Sequence, residues 1–247
     1  MSTVDDQDIG SLADRVILVT GASDGIGRAV AIAAAARGAQ LALLGRTLRK
    51  LERTYDDIVN AGGPRPSICQ FDLRSQSWSD YELLSASLEH EYGRLDGLVH
   101  CAGALGRLAP IEHIDPATWI EVMQVNVNGA FLLTKACLPL LRRSADASIV
   151  FTSSGVGRRP RAFWGAYSVS KVALEGLMQV LADEEAASGR IRVNTINPGP
   201  TRTAMRRSAY PDEDASKLPT PEEIAPAFLR LLASSGERVS GRAFEAR

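Results

Sequence analysis

The chain is predicted to fold as a single α/β domain: a doubly wound, mostly parallel sheet of about seven strands with helices on both faces. Three observations carry that expectation. Short apolar runs alternate with longer helical patterns, the order of βαβ units. Those runs are continuous rather than alternating, as strands covered on both faces require. No internal repeat, low-complexity tract or long linker interrupts the 247 residues, a length that one such domain reaches. Residues 1–247 therefore read as one domain, with 1–12 as a flexible leading segment.

Residues 15–20 (RVILVT) are expected as the first buried strand and 25–37 as the first helix, closed by Gly38. Residues 40–44 give a second strand, and 48–60 a charged amphipathic helix ended by Gly62 and Gly63. A third strand is expected at 67–71, a helix at 79–91 and a fourth strand at 95–101. The stretch 116–142 reads as one long helical region. A fifth strand follows at 148–153 (SIVFTS), then a helix at 167–187 and a sixth strand at 192–196. A late helix at 221–233 and a short final strand at 242–245 complete the order.

Composition narrows the function. Twenty-eight basic residues against 29 acidic ones leave a net charge of −1, which argues against nucleic acid and anionic membranes as partners. Cys69, Cys101 and Cys137 are far apart and odd in number, so neither a disulfide framework nor a Cys-x-x-Cys metal pair is expected. His90, His100 and His113 lack helical metal-ligand spacing, and no metal is expected. The acidic, polar start is unlike a secretory signal, and no apolar stretch nears the roughly 20 residues of a membrane helix. The expected location is the cytoplasm.

The first pattern that carries chemistry is Thr20-Gly21-Ala22-Ser23-Asp24-Gly25-Ile26-Gly27, between the first strand and the first helix. In a Rossmann βαβ unit the first glycine permits the tight turn, the second lets backbone approach a pyrophosphate, and the third lets helix and strand pack closely. The helix N-terminus adds free N–H groups and partial positive charge. Glycine turns follow many strands; here the strand–turn–helix context makes a dinucleotide site the better reading. The second strand ends Leu43-Leu44-Gly45-Arg46-Thr47, without the acidic residue that would bind an NAD ribose and repel a 2′-phosphate. Arg46 could form charge-assisted bonds to that phosphate, with hydroxyls from Thr47 and Ser23, so NADP(H) is expected in preference to NAD(H). The alternative leaves Arg46 solvated.

Tyr167 and Lys171 stand i,i+4 on a predicted helix, so their side chains leave one face. A tyrosine with its ordinary pKa of about 10 is a poor base at neutral pH, but an adjacent ammonium would lower that value and make it a workable general acid and base. Alone, the pair reads more readily as a core tyrosine and a solvated lysine.

Further matches follow in order: Asp72 at the third strand's end, His100-Cys101-Ala102-Gly103 after the fourth, Asn126, Ser154, Tyr167-Ser168-Val169-Ser170-Lys171, and Pro198-Gly199 with Thr203. Ser154 and Asn126 precede Tyr167 by 13 and 41 residues. With the Gly-x-x-x-Gly-x-Gly turn, these matches make the sequence resemble the short-chain dehydrogenases/reductases over nearly its whole length. Residues 148–158 and 197–206 look most like a bacterial, YciK-like branch of that family. The resemblance implies Tyr167 as general acid/base, Lys171 on the nicotinamide ribose, Ser154 orienting the substrate oxygen, and Asn126 anchoring a water in a proton relay. It further implies Asp72 and Leu73 near the adenine, Ala102 and Gly103 against the cofactor, Pro198 and Gly199 beside the nicotinamide, and Thr203 on the carboxamide or phosphate. An ordinary strand-end turn is the plainer reading of Asp72-Leu73, and a helix bend that of Asn126.

Three features depart from the pattern or weigh against the cofactor assignment. His100-Cys101 stands where the family has Asn-Asn, so contacts there should differ. The family's Asp-Gly-Gly does not follow residues 240–244, which leaves the outer substrate wall unspecified. Asp24 stands where some NADP-preferring relatives carry a basic residue. The substrate side is expected from 104–110, 155–164 and 204–218, where Arg158, Arg159 and Arg161 beside Phe163 and Trp164 suit an anionic substrate, solvated arginines or salt bridges. The resemblance thus implies an enzyme acting on a small carbonyl or alcohol with NADP(H), assembled as a homo-oligomer, tetramer or dimer. A nucleotide-binding regulatory or scaffold protein on the same fold is the competing class.

Overall fold

The computed structural model describes residue 9, residues 11–233 and residues 238–247. Among these residues seven strands form one sheet in the order β3-β2-β1-β4-β5-β6-β7, and every neighbouring pair is parallel. They are β1 (Val16–Thr20), β2 (Gln40–Gly45), β3 (Ser67–Gln70), β4 (Gly97–His100), β5 (Ala147–Thr152), β6 (Ile191–Asn197) and β7 (Ala243–Glu245). The expected doubly wound single domain is the observed fold. Strand order reverses between β1 and β4, and in such sheets ligands bind where the carboxyl ends flank that point.

Period-two side chains divide the core in two. Ile17 and Val19 of β1 face α1 (Gly25–Ala35), α2 (Leu48–Asn60) and α9 (Pro221–Leu232). Val16 and Leu18 face α3 (Trp78–Tyr92), α5 (Gly129–Leu141) and α7 (Gly165–Ala186). Every residue of β1 is buried, which is why Val16–Val19 run without a polar residue.

Local signals set the helix ends. Asp24 caps α1 by accepting from the Gly25 N–H, and Gly93, at φ 72°, ends α3 in the left-handed region. Thr220 and Glu223 form a reciprocal capping box at α9, with Pro221 in its first turn.

The expected continuous helix over 116–142 is interrupted. Asp115 caps α4 (Pro116–Met123), a five-residue π turn occupies Gln124–Asn128, and α5 resumes at Gly129. Two short helices absent from the sequence reading, α6 (Gly155–Arg158) and α8 (Ala204–Ala209), flank the carboxyl edge of the sheet. The flexible segment expected over 1–12 falls, at residues 1–8 and 10, outside the described residues. Its end is packed instead: Ile9 and Leu12 are buried in the core, and the Leu12 N–H donates to the Arg37 carbonyl. No helix among the described residues is long and apolar enough to cross a membrane.

Candidate active site

A cleft of about 880 Å³ opens along the carboxyl edge. At its floor Gly21 takes φ +66°, and a Cβ there would lie 2.9 Å from the Ala102 backbone nitrogen. A Cβ on Gly27 would lie 2.5 Å from the Gly21 carbonyl oxygen, so only glycine lets α1 start this close to β1. Thr20 ties the neighbouring turn down: its hydroxyl accepts from the N–H groups of Cys101 (3.1 Å) and Ala102 (3.0 Å). Ser23, Asp24, Gly25, Ile26, Ala102 and Gly103 all line the cleft beside this turn.

One end is basic. Arg46 is exposed on the cleft wall, and Thr47 begins α2 without using its side chain as a cap. Lys50, unforeseen from the sequence, joins them. Its Nζ lies 2.9 Å from Asp24 Oδ2, and that hydrogen bond holds the Asp24 carboxyl below its ordinary range. Asp24 thus presents a compensated rather than a bare negative charge. The overlooked signal was a cation in a helix's first turn, where the macrodipole favours acids. In the turn after β3 Arg74 grips Asp72 (Nη2–Oδ2 2.6 Å) and lowers its pKa, while Leu73 is buried and its carbonyl accepts from Gln124. Asp72 and Leu73 both line the cleft.

At the other end α7 places Tyr167 and Lys171 over the end of β5. Tyr167 shares a hydrogen bond with Ser154, the residue that caps α6. Lys171 Nζ donates to the Thr152 carbonyl at 2.7 Å and lies 5.6 Å from the Tyr167 ring centroid. Burial pushes the Lys171 ammonium down to about 8, with Cys101 and Glu175 acting against it. Burial also pushes the Tyr167 hydroxyl up, against the Ser154 hydrogen bond, which reverses the expected depression. The physical reason is desolvation of the phenolate, which exceeds any help from an ammonium itself weakened by burial.

Asn126 sits in the π turn, 2% exposed. Its Oδ1 accepts from the Ala104 N–H (2.7 Å), and its Nδ2 donates to the Ala104 carbonyl and to Ser170 Oγ (both 2.9 Å). Such local widenings of a helix recur at functional sites. Here the turn aims one amide at the β4–α4 loop and at α7 together. Pro198 and Gly199 follow β6 at the rim, and Thr203 caps α8 with its methyl facing Gly25 across the cleft.

The outer wall joins Trp164, expected on the substrate side, to Arg206, Tyr210 and Glu213, which the sequence did not mark individually. The Trp164 ring lies 5.8 Å from that of Tyr167 and 6.0 Å from that of Tyr210. Arg206 stacks on Tyr210 at 3.9 Å and forms two 2.6 Å hydrogen bonds to Glu213. Arg158 does not turn toward the cleft; it pairs with Glu175 at 2.8 Å, whereas Arg161 lines the cleft and Arg159 is exposed elsewhere. The departures at β4 have partners of their own. His100 bonds Thr134 and stacks on Phe151, and Cys101 Sγ accepts from Thr152. Among the described residues no three His, Cys, Asp or Glu side chains cluster as a metal site.

Comparison with known proteins agrees with this geometry. The oxidoreductase YciK of Escherichia coli K12, itself described as uncharacterized, is 50% identical over 235 residues, 95% of this chain and 92% of that one. A Shigella flexneri 2a short chain dehydrogenase solved in complex with NADP is 50% identical, covers 97% of this chain and 99% of its own, and superposes with a TM-score of 0.93. An Escherichia coli CFT073 short chain dehydrogenase solved with NADPH is 51% identical, covers 98% and 99% of the two chains, and gives 0.93. The family described as short chain dehydrogenase matches residues 15–214. The chain belongs to the short-chain dehydrogenases, an oxidoreductase family.

Proposed function

We propose that this protein transfers a hydride between NADP(H) and a small carbonyl or alcohol compound, with Tyr167 as general acid and base. The carrying observation is the arrangement of one cleft: Ser154, Tyr167 and Lys171 at one end, the glycine turn in the middle, and Arg46, Thr47 and Lys50 at the other.

The residues fit a dinucleotide phosphate. The Gly21–Gly27 contact brings the N-terminus of α1 to the cleft, where its partial positive charge suits a pyrophosphate. Arg46 and Lys50 would meet a 2′-phosphate, and the Shigella and E. coli relatives solved with NADP and NADPH support that reading. When bound, the cofactor supplies or accepts the hydride. Lys171 would hold the nicotinamide ribose hydroxyls. Ser154 would donate to the substrate oxygen, and Tyr167, kept protonated by burial, would give its proton to that oxygen as a carbonyl is reduced. Asn126 would fix the loop at Ala104 and anchor the relay water. Free thiols at Cys69, Cys101 and Cys137 suit the reducing cytoplasm as the place of action.

The test is titration with NADPH and NADH at low salt, followed by turnover on a panel of ketones and quinones. Two charge-assisted contacts of about 1.5 kcal/mol each predict a roughly hundredfold preference for NADPH. Arg46→Asp should erase it. Tyr167→Phe should bind NADPH normally and lose about 100-fold in turnover, the lower range of acid–base contributions. Equal affinity for the two cofactors removes the phosphate assignment. Full turnover by the phenylalanine variant removes Tyr167 from the chemistry.

A further inference from the structure

We propose that Glu175 is a positioning residue of this site: a largely buried carboxylate that fixes the Ser154 turn against α7 and shapes the electrostatic surroundings of the Lys171 amine. The inference rests on reading Lys171 as a functional cation.

Glu175 stands one helical turn beyond Lys171, with its side chain 13% exposed. Its carboxylate accepts hydrogen bonds from three elements. Ser153 Oγ donates from the end of β5, Arg158 Nε from the end of α6 at 2.8 Å, and Thr195 Oγ1 from β6 at 2.8 Å. Arg158 also donates to Thr195 Oγ1 (3.3 Å) and to the Phe244 carbonyl (3.2 Å), which extends the network to β7.

Two of the donors border site residues. Ser153 lies between Thr152, whose carbonyl holds Lys171, and Ser154, which bonds Tyr167. Arg158 ends the short helix that Ser154 caps. That helix presses on α7 closely enough that a Cβ on Gly157 would fall 2.8 Å from Lys171 Cβ. One carboxylate therefore registers three site residues on two helices and a strand end. Packing alone does not call for such a group, because an apolar side chain of similar volume would fill the space without desolvating a charge.

The charge also acts on Lys171, one helical turn away along α7. Facing its amine are His100 and Cys101 from the end of β4 and Tyr167 and Glu175 from α7, with Arg158 of α6 behind the carboxylate. Thr152 and Asn126 contribute only neutral groups from β5 and the π turn. Burial is the largest influence on Lys171 and lowers it; Cys101 and Glu175 oppose that effect. Removing Glu175's charge should thus favour the neutral amine. Removing Arg158's charge should favour the ammonium, because the carboxylate loses its counter-ion.

Opposite signs make the proposal testable apart from catalysis. Side-chain nitrogen NMR of 15N-lysine-labelled, cofactor-free protein would follow the Lys171 titration in the parent, Glu175→Gln and Arg158→Met. The expected midpoint is near 8 in the parent, lower in Glu175→Gln and higher in Arg158→Met. NADPH affinity should then weaken at a lower pH in the glutamine variant. Should that variant fail to fold, the upward shift in Arg158→Met still decides. Midpoints unmoved in the folded variants, with activity lost in both, would reduce Glu175 to a packing element and overturn the proposal. Midpoints that move as expected, with NADPH affinity indifferent to them, would uphold Glu175's influence and instead refute the ribose role of Lys171.

Discussion

His100 illustrates how a single side chain in this site writes itself into stability. Complete burial, helped by the nearby Lys171 charge, pushes its imidazole down to about 3. An unfolded histidine titrates near 6.5, at about the model-peptide value. Between those pH values the unfolded chain binds a proton that the folded chain refuses, so stability is full above about pH 6.5 and declines as pH falls toward 3. Two pH units into that window the loss from this group is on the order of 2 to 3 kcal/mol. Urea denaturation of the parent and His100→Asn at pH 7 and 4.5 measures it. The variant also lacks the present bond to Thr134, which lowers its stability at both pH values. Only the difference between the two slopes reports the buried imidazole, and parallel slopes would remove it as a source of acid lability.

At the scale of elements, the π turn over Gln124–Asn128 is where the sequence was least readable and the site most dependent on backbone detail. A regular helix through this point would rotate the residues after it by part of a turn. The widening is held by Asn126 through its three hydrogen bonds to Ala104 and Ser170. Asn126→Ala leaves the Ala104 amide and carbonyl short of partners, and should cost about 1 to 3 kcal/mol of stability together with most of the turnover. Chemical denaturation and steady-state rates check both; a variant as stable as the parent would show that the turn does not depend on that amide. The strands were legible because burial on both faces imposes short continuous apolar runs, Val16–Val19 in β1 and Ile149–Phe151 in β5. The caps at Thr220 and Gly93 are local chemistry too, but the sequence reading did not use them. The glycine turn and the Ser154–Tyr167–Lys171 spacing were legible because they are local or fixed in separation. Lys50, Glu175 and Tyr210 were not, since their meaning comes from Asp24, Ser153 and Trp164, which the fold alone brings beside them.

For the whole molecule, the remaining question is what covers the outer face of α7. Val169, Val172 and Val180 are 42%, 41% and 57% exposed, and Gly176 falls between them at helical spacing with open space where a Cβ would be. Phe131 on α5 is a further half-exposed apolar group, at 46%. Scattered apolar residues on a surface are ordinary, but a stripe along one helix with a glycine gap allows two backbones to approach. A two-fold axis beside such a stripe pairs it with its own copy, the commonest way that identical chains associate. The expectation is a homo-oligomer, a dimer through this face or a tetramer that contains it. Light scattering at micromolar concentration should then give a multiple of 26.5 kDa. Val172→Glu places a charge in the stripe and should shift the mass toward one chain while circular dichroism and NADPH binding persist, because Val172 touches neither the cleft nor the core. An unmodified protein that scatters only as 26.5 kDa would sink the expectation, and an oligomer untouched by Val172→Glu would move its interface to another face.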